Sequence, residues 1–312
     1  MSEANKIAFI FPGQGAQSVG MGRDLYECFS PARAIFEEAD RVLGFPLTRL
    51  CFEGPEEELR LTINAQPAIL AVSFVCLKVM LEAVGTGKAM ASPGFVAGHS
   101  LGEYSALAAA GVLDFAKAIF LARERGRLMH EAGHKNPGAM AAVIGLEEKA
   151  LAEVCKETRT WLANINCPGQ LVISGSKEGI EKAKGLAEAR GASRFIPLQV
   201  SGAFHTPLMQ PAADGLSRII ADLPFRDPTI PIVANTSAQP LTKAGPVKDE
   251  LLNQLCNTVQ WQRSVEYMIN NGVSTFVEIG PGKVLTGLIK RINRNVQTVN
   301  IGDVSSVKGL AN

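Results

Sequence analysis

Short apolar segments that end in Gly, Asn or Pro alternate with longer segments of helical period along this chain. The clearest apolar segments are residues 7–11, 95–97, 231–234 and 275–279. Strands that alternate with helices pair in a parallel sheet, because each helix returns the chain to the same end of the sheet. The alternation therefore predicts an α/β fold built on a parallel sheet.

Between residues 134 and 203 the pattern changes to strand, helix, strand, strand, helix, strand. The segments fall at 139–144, 147–158, either side of 167–170, 177–190 and 194–200. This βαββαβ order predicts a ferredoxin-like insert. Breakers at 133–138 and at Ser201-Gly202 predict hinges beside it. We therefore expect a discontinuous core of residues 1–133 and 204–312 and a small subdomain of residues 134–203.

Composition and charge narrow the classes of partner. The chain has 312 residues, 46% of them hydrophobic and 20% charged, which suits a globular protein with a large core. Lys and Arg number 31 against 30 for Asp and Glu, so no bulk charge attracts nucleic acid or an anionic membrane. Any anionic partner has to be held by local sites.

The cysteines and the N-terminus indicate the cell compartment. Six cysteines lie far apart without a C-x-x-C pair, which favours buried thiols over disulfides or zinc ligands. The N-terminus lacks a basic segment followed by an apolar one, and apolar residues 68–77 fall short of the roughly 20 that span a bilayer. We expect a soluble, cytoplasmic protein with no metal site.

A serine between two glycines, Gly98-His99-Ser100-Leu101-Gly102, follows the second apolar segment. A helix-forming segment at 103–113 comes next, so the strand–turn–helix context of a nucleophile elbow is present. The glycines permit a sharp turn, and a helix N-terminus favours developing negative charge. The alternative is a turn whose serine only caps the helix. Ser100 is thus a candidate nucleophile that needs a base.

Of the four histidines, His205 is the candidate base. It follows an apolar strand and precedes a proline, so it lies in a strand-end loop, where α/β sheets place active sites. His99 adjoins Ser100 and should point away from its hydroxyl. His130 falls at the end of a helix predicted over residues 115–129, and His134 falls in the loop that follows. A neutral imidazole is the usual base for a serine. The alternative is a hydrogen-bonded core histidine.

No carboxylate stands out as the partner of His205. Three aspartates are possible by order alone, Asp214, Asp227 and Asp249. A backbone or amide oxygen is the other way to orient the imidazole.

The loop after the first strand, Pro-Gly-Gln-Gly-Ala-Gln at 12–17, resembles a nucleotide-binding glycine loop. Ser18 stands where G-x-G-x-x-G needs its third glycine, which argues against that function. The other interpretation is a backbone N–H donor to an oxyanion, paired with the N–H of Leu101, the residue after the nucleophile.

Arg125 is the candidate for recognition of a substrate anion. At three and four residues on either side it has Leu121, Ala122, Leu128 and Met129, so helical spacing places it on an apolar face. A buried guanidinium needs an anionic partner, which predicts bidentate binding of a substrate carboxylate. The alternative is an internal ion pair with Glu82 or Glu278.

Taken together, these stretches resemble the malonyl-CoA:acyl carrier protein transacylases of fatty acid and polyketide synthesis. The matching motifs are FPGQGAQ at 11–17, NAQPA at 64–68, GHSLGEYSAL at 98–107, RERGRLM at 123–129, GAMAAVIG at 138–145, NCPGQLVISG at 166–175, GAFH at 202–205 and VEIGPGKVLTGLIKRI at 277–292. The resemblance implies an α/β-hydrolase-like core with a ferredoxin-like insert, in agreement with the pattern above.

The resemblance also assigns roles to single residues. It makes Ser100 the acylated nucleophile, His205 its base, and Arg125 the ligand of the malonyl carboxylate. Further roles follow from it: the backbone N–H groups of Gln14 and Leu101 as the oxyanion hole, the Gln260 carbonyl as the group that orients His205, and Gln66, Met129, Asn164 and Asn166 as cleft residues. Thr258 departs from the family, where many relatives have proline. The Ala-Phe-His sequence ending at His205 is the form of malonyl-selective members.

The implied reaction is ping-pong transfer of a malonyl group from malonyl-CoA to the pantetheine thiol of acyl carrier protein. It requires no cofactor, and the expected protein is a monomer. Two alternatives stay open: a serine thioesterase or esterase, and an acyltransferase of a polyketide pathway. A non-catalytic module that binds carrier protein is a further alternative, suggested by basic residues at Lys283, Lys290, Arg291 and Arg294.

Overall fold

The computed structural model describes residues 6–85, 89–200 and 202–310. The hinge predicted at Ser201 lies outside them. The strands are β1 (Lys6–Phe11), β2 (Phe95–Gly98), β3 (Gly138–Ile144), β4 (Thr160–Cys167), β5 (Gln170–Ser176), β6 (Arg194–Pro197), β7 (Ile232–Val233), β8 (Pro240–Leu241), β9 (Val273–Ile279) and β10 (Gln297–Ile301).

The helices come in chain order. They are α1 (Arg23–Cys28), α2 (Ser30–Leu43), α3 (Leu47–Glu53), α4 (Glu56–Arg60), α5 (Thr62–Val84), α6 (Gly102–Ala109), α7 (Phe115–Lys135), α8 (Glu148–Thr158), α9 (Lys177–Ala189), α10 (Gln210–Asp222), α11 (Ala244–Cys256), α12 (Trp261–Asn270), α13 (Val284–Ile292) and α14 (Val304–Lys308).

The larger sheet has six strands in the order β10-β9-β1-β2-β7-β8. The first five are parallel, and β8 joins β7 antiparallel. The predicted parallel-sheet core is confirmed. In the register of β1 with β2, Phe11 lies opposite Gly98. The loop after β1 and the turn after β2 therefore leave the sheet side by side.

Both faces of this sheet are covered, as expected of parallel strands. Successive side chains of a strand point to opposite faces, and β1 follows that rule. Phe9 and Phe11 belong to a core cluster that includes α5 and α7, whereas Ala8 and Ile10 pack in a second cluster with α12 and α13. Because both faces of β1 are buried, its residues 7–11 are all apolar instead of alternating with polar ones.

Helix α5 is a long and largely apolar helix of 23 residues. By length and composition it could cross a membrane, with a mean hydropathy of 2.0 in its most apolar window, but 78% of that window is buried inside the protein. It is the central helix of the larger core cluster. The sequence pattern isolated only residues 68–77 because polar residues such as Asn64 and Lys78 interrupt the apolar run.

The smaller sheet is antiparallel, in the order β4-β5-β3-β6. Its chain order is strand, helix, strand, strand, helix, strand, with α8 and α9 sharing a third core cluster with the strands. Of the residues 133–138 expected to interrupt the chain, Gly133 lies buried within α7, and the helix ends two residues later, so the break falls at Asn136 and Pro137. The division of the chain into two domains stays a prediction.

Backbone hydrogen bonds join the smaller sheet to the rest of the chain. Strand β4 pairs along one edge with Val259, whose N–H donates to Ala163 (2.9 Å) and whose carbonyl accepts from Ile165 (2.9 Å). The Thr258 hydroxyl donates to the Leu162 carbonyl at 2.6 Å, a bond that proline could not make. The departure from the family pattern at this position thus adds a contact between the two parts.

The turn between β2 and α6 is closed by two glycines. A Cβ on Gly98 would lie 1.9 Å from the carbonyl carbon of Gly102, and a Cβ on Gly102 would lie 2.0 Å from the carbonyl oxygen of Phe11. Backbone occupies the space that a side chain would need, so β1, β2 and α6 approach each other only without side chains at these positions.

We expect Gly98→Ala to lower the free energy of unfolding by about 3 kcal/mol, the upper end of the cost of overpacking, because its clash is with backbone. Urea denaturation measures the change. Gly185→Ala is the matched control: this helical glycine has nothing within 4 Å of the added Cβ, so the substitution should stabilise by about 0.5–1 kcal/mol. Equal stability of Gly98→Ala and the wild type would contradict the tight turn.

Candidate active site

Ser100 sits at the tip of the turn between β2 and α6. Its φ is 51°, in the left-handed region that costs a non-glycine residue about 1–2 kcal/mol. The backbone N–H of Ser100 donates to Asn235 Oδ1 at 2.7 Å, which fixes the strained conformation. The turn directs the hydroxyl into a cleft, the geometry of a nucleophile elbow.

His205 is hydrogen-bonded to the hydroxyl of Ser100. Its Nε2 lies 2.8 Å from Ser100 Oγ, and its Nδ1 lies 2.7 Å from the Gln254 carbonyl oxygen. A carbonyl only accepts, so Nδ1 carries the proton and Nε2 is free to accept from the serine hydroxyl. His205 also has a positive φ, 61°. The arrangement has the nucleophile, base and orienting group of a serine-dependent site.

The orienting carbonyl is that of Gln254, so the assignment to Gln260 is wrong. Gln260 precedes α12, and its carbonyl accepts from the backbone N–H and hydroxyl of Ser264. Gln254 lies in the last turn of α11, where helix carbonyls have no partner within the helix. The Gln254 carbonyl, at the end of a helix, is therefore free to accept from His205. The Gln260 carbonyl, at the start of a helix, already accepts from Ser264.

The three candidate aspartates bind elsewhere or face solvent. Asp214 accepts from Gln210, Asp227 accepts from Lys243, and Asp249 is exposed. The alternative stated from the sequence, a backbone oxygen, is the one observed.

The other histidines do not reach Ser100 Oγ. His99 Nε2 donates to Asn166 Oδ1 at 2.8 Å, directed away from the serine as expected. His130 and His134 both lie in α7 and contact each other, with their Nε2 atoms 3.1 Å apart. His134 was expected in the loop after the helix predicted over residues 115–129, but α7 continues six residues further, to Lys135.

Arg125 lies beside the serine and is 1% exposed, which confirms its inward orientation. Its Nη2 donates to Ser100 Oγ (3.1 Å) and to Gln254 Oε1 (2.7 Å), and its Nη1 donates to Gln66 Oε1 (2.7 Å). The Tyr104 ring lies 5.1 Å from the guanidinium carbon. Among the described residues, the oxygens that accept from the guanidinium are all neutral.

The predicted ion-pair partners of Arg125 are engaged elsewhere. Glu278 accepts from the backbone N–H groups of Leu285 and Thr286 at the start of α13, and Glu82 is exposed. Within the described residues, the Arg125 guanidinium forms no ion pair with a carboxylate, and its Nε has no hydrogen-bond partner. A buried cation without a carboxylate contact is what an anionic ligand would complete.

Burial and the charge of Arg125 act together on His205. Desolvation of the imidazole, followed by the neighbouring guanidinium, lowers the pKa of His205 from 6.5 to about 3, against the opposing effect of the Gln254 carbonyl. The imidazole is therefore neutral at physiological pH. A neutral imidazole is the form that accepts the serine proton.

These residues face a cavity of about 590 Å³, within the range of small-molecule sites. Besides Ser100, His205 and Arg125, its lining includes the predicted residues Gln14, Leu101, Met129, Asn164 and Asn166. Gln66 does not line it. Gln66 instead supports the site from behind, with Oε1 on Arg125 and Nε2 3.3 Å from Met129 Sδ.

The proposed oxyanion donors lie at the two turns that leave the sheet side by side. Gln14 belongs to the loop after β1 and Leu101 follows the nucleophile. Across the described parts of the chain, neither backbone N–H donates to a protein acceptor outside helices and strands. The Gln14 side chain is held by the Thr62 hydroxyl, 2.8 Å from Oε1. Their role in the reaction stays a prediction.

Three residues of the site were not predicted from the sequence: Glu103, Asn235 and Gln254. Asn235 follows the predicted strand 231–234, and the carboxyl end of a parallel strand is where site residues collect. That position could have identified it. Glu103 lies three residues after the serine, one helical turn away. Gln254 has no motif, since its contribution to His205 is a backbone carbonyl that any residue possesses.

Comparison with known proteins agrees with this geometry. Residues 8–307 match the family model described as the acyl transferase domain. The chain therefore belongs to the acyl transferase domain family.

Within this family the similar proteins carry one activity in their names. The chain is 46% identical over 309 residues to the malonyl CoA-acyl carrier protein transacylase of Bacillus subtilis, covering 97% of this chain and 96% of that protein. It is 46% identical over 291 residues to the protein of that name from Escherichia coli K12, covering 92% and 93%.

Solved structures extend the similarity to the whole fold. An acyl carrier protein S-malonyltransferase from Vibrio cholerae has a TM-score of 0.93 and 44% identity, covering 98% of this chain and 100% of that one. A malonyl-transacylase solved with a type II polyketide synthase acyl carrier protein has a TM-score of 0.94 and 42% identity, covering 98% and 99%.

We expect Arg125→Met to move the acid limb of Ser100 reactivity to higher pH. His205 has to be neutral to act as a base, and a pKa of about 3 keeps the wild-type limb near pH 3. Removing the adjacent cation removes a repulsion that lowers this pKa, so the pKa rises and the limb follows it. The rate of labelling by phenylmethylsulfonyl fluoride, a neutral serine reagent, is measured against pH.

Arg127→Met is the matched control for this experiment. Arg127 lies on the same helix but pairs with Glu124 and Glu131 on the outer surface. Its loss should leave the limb in place. A limb that stays near pH 3 in Arg125→Met would show that the guanidinium does not set the pKa of His205.

Proposed function

We propose that this protein transfers the malonyl group of malonyl-CoA to the pantetheine thiol of acyl carrier protein. The observation that carries the proposal is the buried guanidinium of Arg125, whose Nη2 lies 3.1 Å from Ser100 Oγ and whose oxygen partners within the described residues are all neutral. A carboxylate at the far end of a serine-bound acyl group would supply the missing charge. The names of the similar transacylases support the same substrate and acceptor.

The first half-reaction acylates the enzyme. Ser100 Oγ attacks the thioester carbonyl carbon as its proton passes to His205 Nε2, 2.8 Å away. The N–H groups of Gln14 and Leu101 donate to the oxyanion of the tetrahedral intermediate. When the intermediate collapses, the carbon–sulfur bond breaks and CoA leaves as a thiol with the proton from His205. A malonyl ester of Ser100 remains.

The second half-reaction is the reverse with a different thiol. The pantetheine thiol of the carrier protein gives its proton to His205, and its sulfur attacks the ester carbonyl. The carbon–oxygen bond then breaks, and Ser100 recovers the proton. Two half-reactions that share one covalent intermediate constitute a ping-pong mechanism.

Arg125 has two tasks in this mechanism. Its guanidinium selects acyl groups that end in a carboxylate, through charge-assisted hydrogen bonds. It also holds the malonyl group in one orientation while CoA leaves and the carrier thiol enters. Asn164, Asn166 and Met129 line the same cavity and would contact the acyl chain or the pantetheine.

We extend the proposal to the architecture and setting of the protein. The parallel order of the larger sheet and the serine at its β2–α6 turn support an α/β-hydrolase-like core. The antiparallel order β4-β5-β3-β6 with two helices on one face supports a ferredoxin-like subdomain. We infer that the reaction needs no cofactor, because His205 and Ser100 account for every proton transfer. We also infer a cytoplasmic monomer, and the six free cysteines support a reducing compartment.

Hydrolysis by a serine thioesterase is the competing activity that the Ser100–His205 pair alone would fit. The buried guanidinium favours the transferase, since a general esterase has no use for a cation beside its nucleophile. Release of free CoA with and without carrier protein distinguishes the two activities, because a hydrolase turns over on water alone.

Mixing the protein with malonyl-CoA should produce one malonyl adduct by intact-mass analysis, because the ester at Ser100 is a covalent intermediate. The adduct should be absent from Ser100→Ala. It should pass to carrier protein that bears phosphopantetheine, and not to the control carrier that lacks it. An adduct that persists in Ser100→Ala, or that decays equally fast with both carriers, would refute the proposed transfer.

Arg125→Ala should reduce the preference for malonyl-CoA over acetyl-CoA by about tenfold or more, the worth of one hydrogen bond to a charged group. The ratio of the two kcat/KM values is the measurement. Arg127→Ala, on the outer face of the same helix, should leave the ratio unchanged. A ratio that Arg125→Ala does not alter would remove the carboxylate assignment.

A further inference from the structure

Glu103 is a buried carboxylate beneath the nucleophile turn. It lies in the first turn of α6, is 1% exposed, and is not among the residues that line the cavity. Three N–H groups donate to it. The backbone N–H and side-chain Nδ2 of Asn235 reach Oε1 at 3.0 and 3.1 Å, and Gln254 Nε2 donates to Oε2.

We propose that Glu103 is a positioning residue that fixes the orientation of two side-chain amides, and through them the nucleophile turn and the guanidinium of Arg125. It acts without contact to substrate. The proposal rests on the carboxylate-recognition role of Arg125 given above.

The reason lies in what a carboxylate can do as a hydrogen-bond partner. A side-chain amide has one accepting and one donating end, and its two orientations differ little in shape. Glu103 accepts from three N–H groups, and none of its hydrogen bonds within the described residues offers it an acceptor, so its carboxylate only accepts here. Burial, followed by the nearby Glu250, raises the pKa of Glu103, and these donors together with the charge of Arg125 oppose that rise. Because the carboxylate only accepts, Asn235 and Gln254 have to turn their NH₂ groups toward Glu103, which leaves each amide oxygen facing the active site.

The Asn235 oxygen holds the nucleophile. Asn235 Oδ1 accepts from the N–H of Ser100 at 2.7 Å, while Nδ2 donates to the Gly98 carbonyl at 2.7 Å as well as to Glu103. The amide thus bridges the two sides of the turn. With the amide reversed, its NH₂ group would face the Ser100 N–H, donor against donor.

The Gln254 oxygen holds Arg125. Gln254 Oε1 accepts from Arg125 Nη2 at 2.7 Å, while Nε2 donates to the Ser100 carbonyl at 3.0 Å and to Glu103. With this amide reversed, its NH₂ group would face the guanidinium, which has no acceptor to offer. Arg125, which is 1% exposed, would lose one of its three oxygen partners.

Glu103→Gln tests the inference because it keeps the shape and introduces a donor. The backbone N–H of Asn235 cannot reverse, so the oxygen of the new amide stays there and its NH₂ group faces Gln254. The conflict therefore falls on the side that holds Arg125, while Asn235 and the nucleophile turn keep their acceptor. The preference for a substrate with a carboxylate should therefore fall by more than the rate at which Ser100 reacts.

The experiment measures kcat and KM with malonyl-CoA and with acetyl-CoA. In Glu103→Gln, KM for malonyl-CoA should rise and the malonyl-to-acetyl ratio of kcat/KM should fall by about tenfold, as for loss of a hydrogen bond to a charged group. Labelling of Ser100 by phenylmethylsulfonyl fluoride should change by less than about threefold, well under the effect of one such bond. Gln254→Met, which keeps the backbone carbonyl on His205, should lower the ratio in the same way.

Glu278→Gln is the matched control. Like Glu103, Glu278 is a fully buried carboxylate that accepts from backbone and side-chain N–H groups, here those of Leu285, Thr286 and Asn300. It lies in β9 and has no hydrogen bond to Asn235, Gln254 or Arg125 within the described residues. It should lower the melting temperature and leave the ratio unchanged. A ratio that falls equally in Glu278→Gln and Glu103→Gln would reduce Glu103 to a purely structural role.

The outcomes separate this inference from the proposed function. A ratio that Arg125→Ala lowers and Glu103→Gln does not would overturn the positioning role and leave the transferase intact. A wild type that shows no preference for malonyl-CoA over acetyl-CoA would contradict the proposed function itself. A crystal structure of Glu103→Gln then decides the positioning role independently of activity: the 2.7 Å contact between Arg125 and Gln254 should be broken, and an unchanged contact would overturn it.

Discussion

The Arg125 guanidinium is buried, and no carboxylate in the described part of the chain contacts it; much of the surrounding structure follows from that. The Arg125 guanidinium would be costly to bury alone, so two glutamine oxygens, a serine hydroxyl and an aromatic face surround it. The same charge, together with burial, keeps the imidazole of His205 neutral. One residue thereby prepares the site for an anionic acyl group and its base for proton transfer. A full ion pair inside the protein would have cancelled both effects.

The catalytic pair depends on backbone conformation as much as on side chains. Both Ser100 and His205 have positive φ, and both are held by contacts that the fold supplies: Asn235 beyond β7 for the serine and the end of α11 for the histidine. The close approach of β1, β2 and α6 at Gly98 and Gly102 brings these elements together. Strain at the nucleophile is thus balanced by hydrogen bonds from segments more than 100 residues away in the chain.

The sequence was sufficient for the parts of the structure that have a repeating or local pattern. Apolar strands with glycine ends predicted the parallel sheet, and helical spacing predicted the inward face of Arg125. Ser100 and His205 were found because a nucleophile and a base are distinct residue types in recognisable contexts. Strand β10 was missed because it is an edge strand with polar Gln297, Thr298 and Asn300. The family resemblance assigned the orienting carbonyl to Gln260, and the sequence offered no sign of Gln254, because every residue has a carbonyl and its availability depends on where a helix ends. Glu103 and Asn235 meet only through tertiary contacts.

The bond between His205 and the Gln254 carbonyl has a further consequence. In a site that uses an aspartate at this place, two groups gain and lose protons, and acid can release the imidazole by neutralising its partner. A peptide oxygen has no such transition over the range in which proteins stay folded. It also survives substitution of its own side chain, as long as α11 ends at the same residue. His205 is therefore anchored by a contact that neither acid nor most point mutations at position 254 remove. What the contact does require is the point at which α11 ends, because that decides which carbonyl is left free for the histidine.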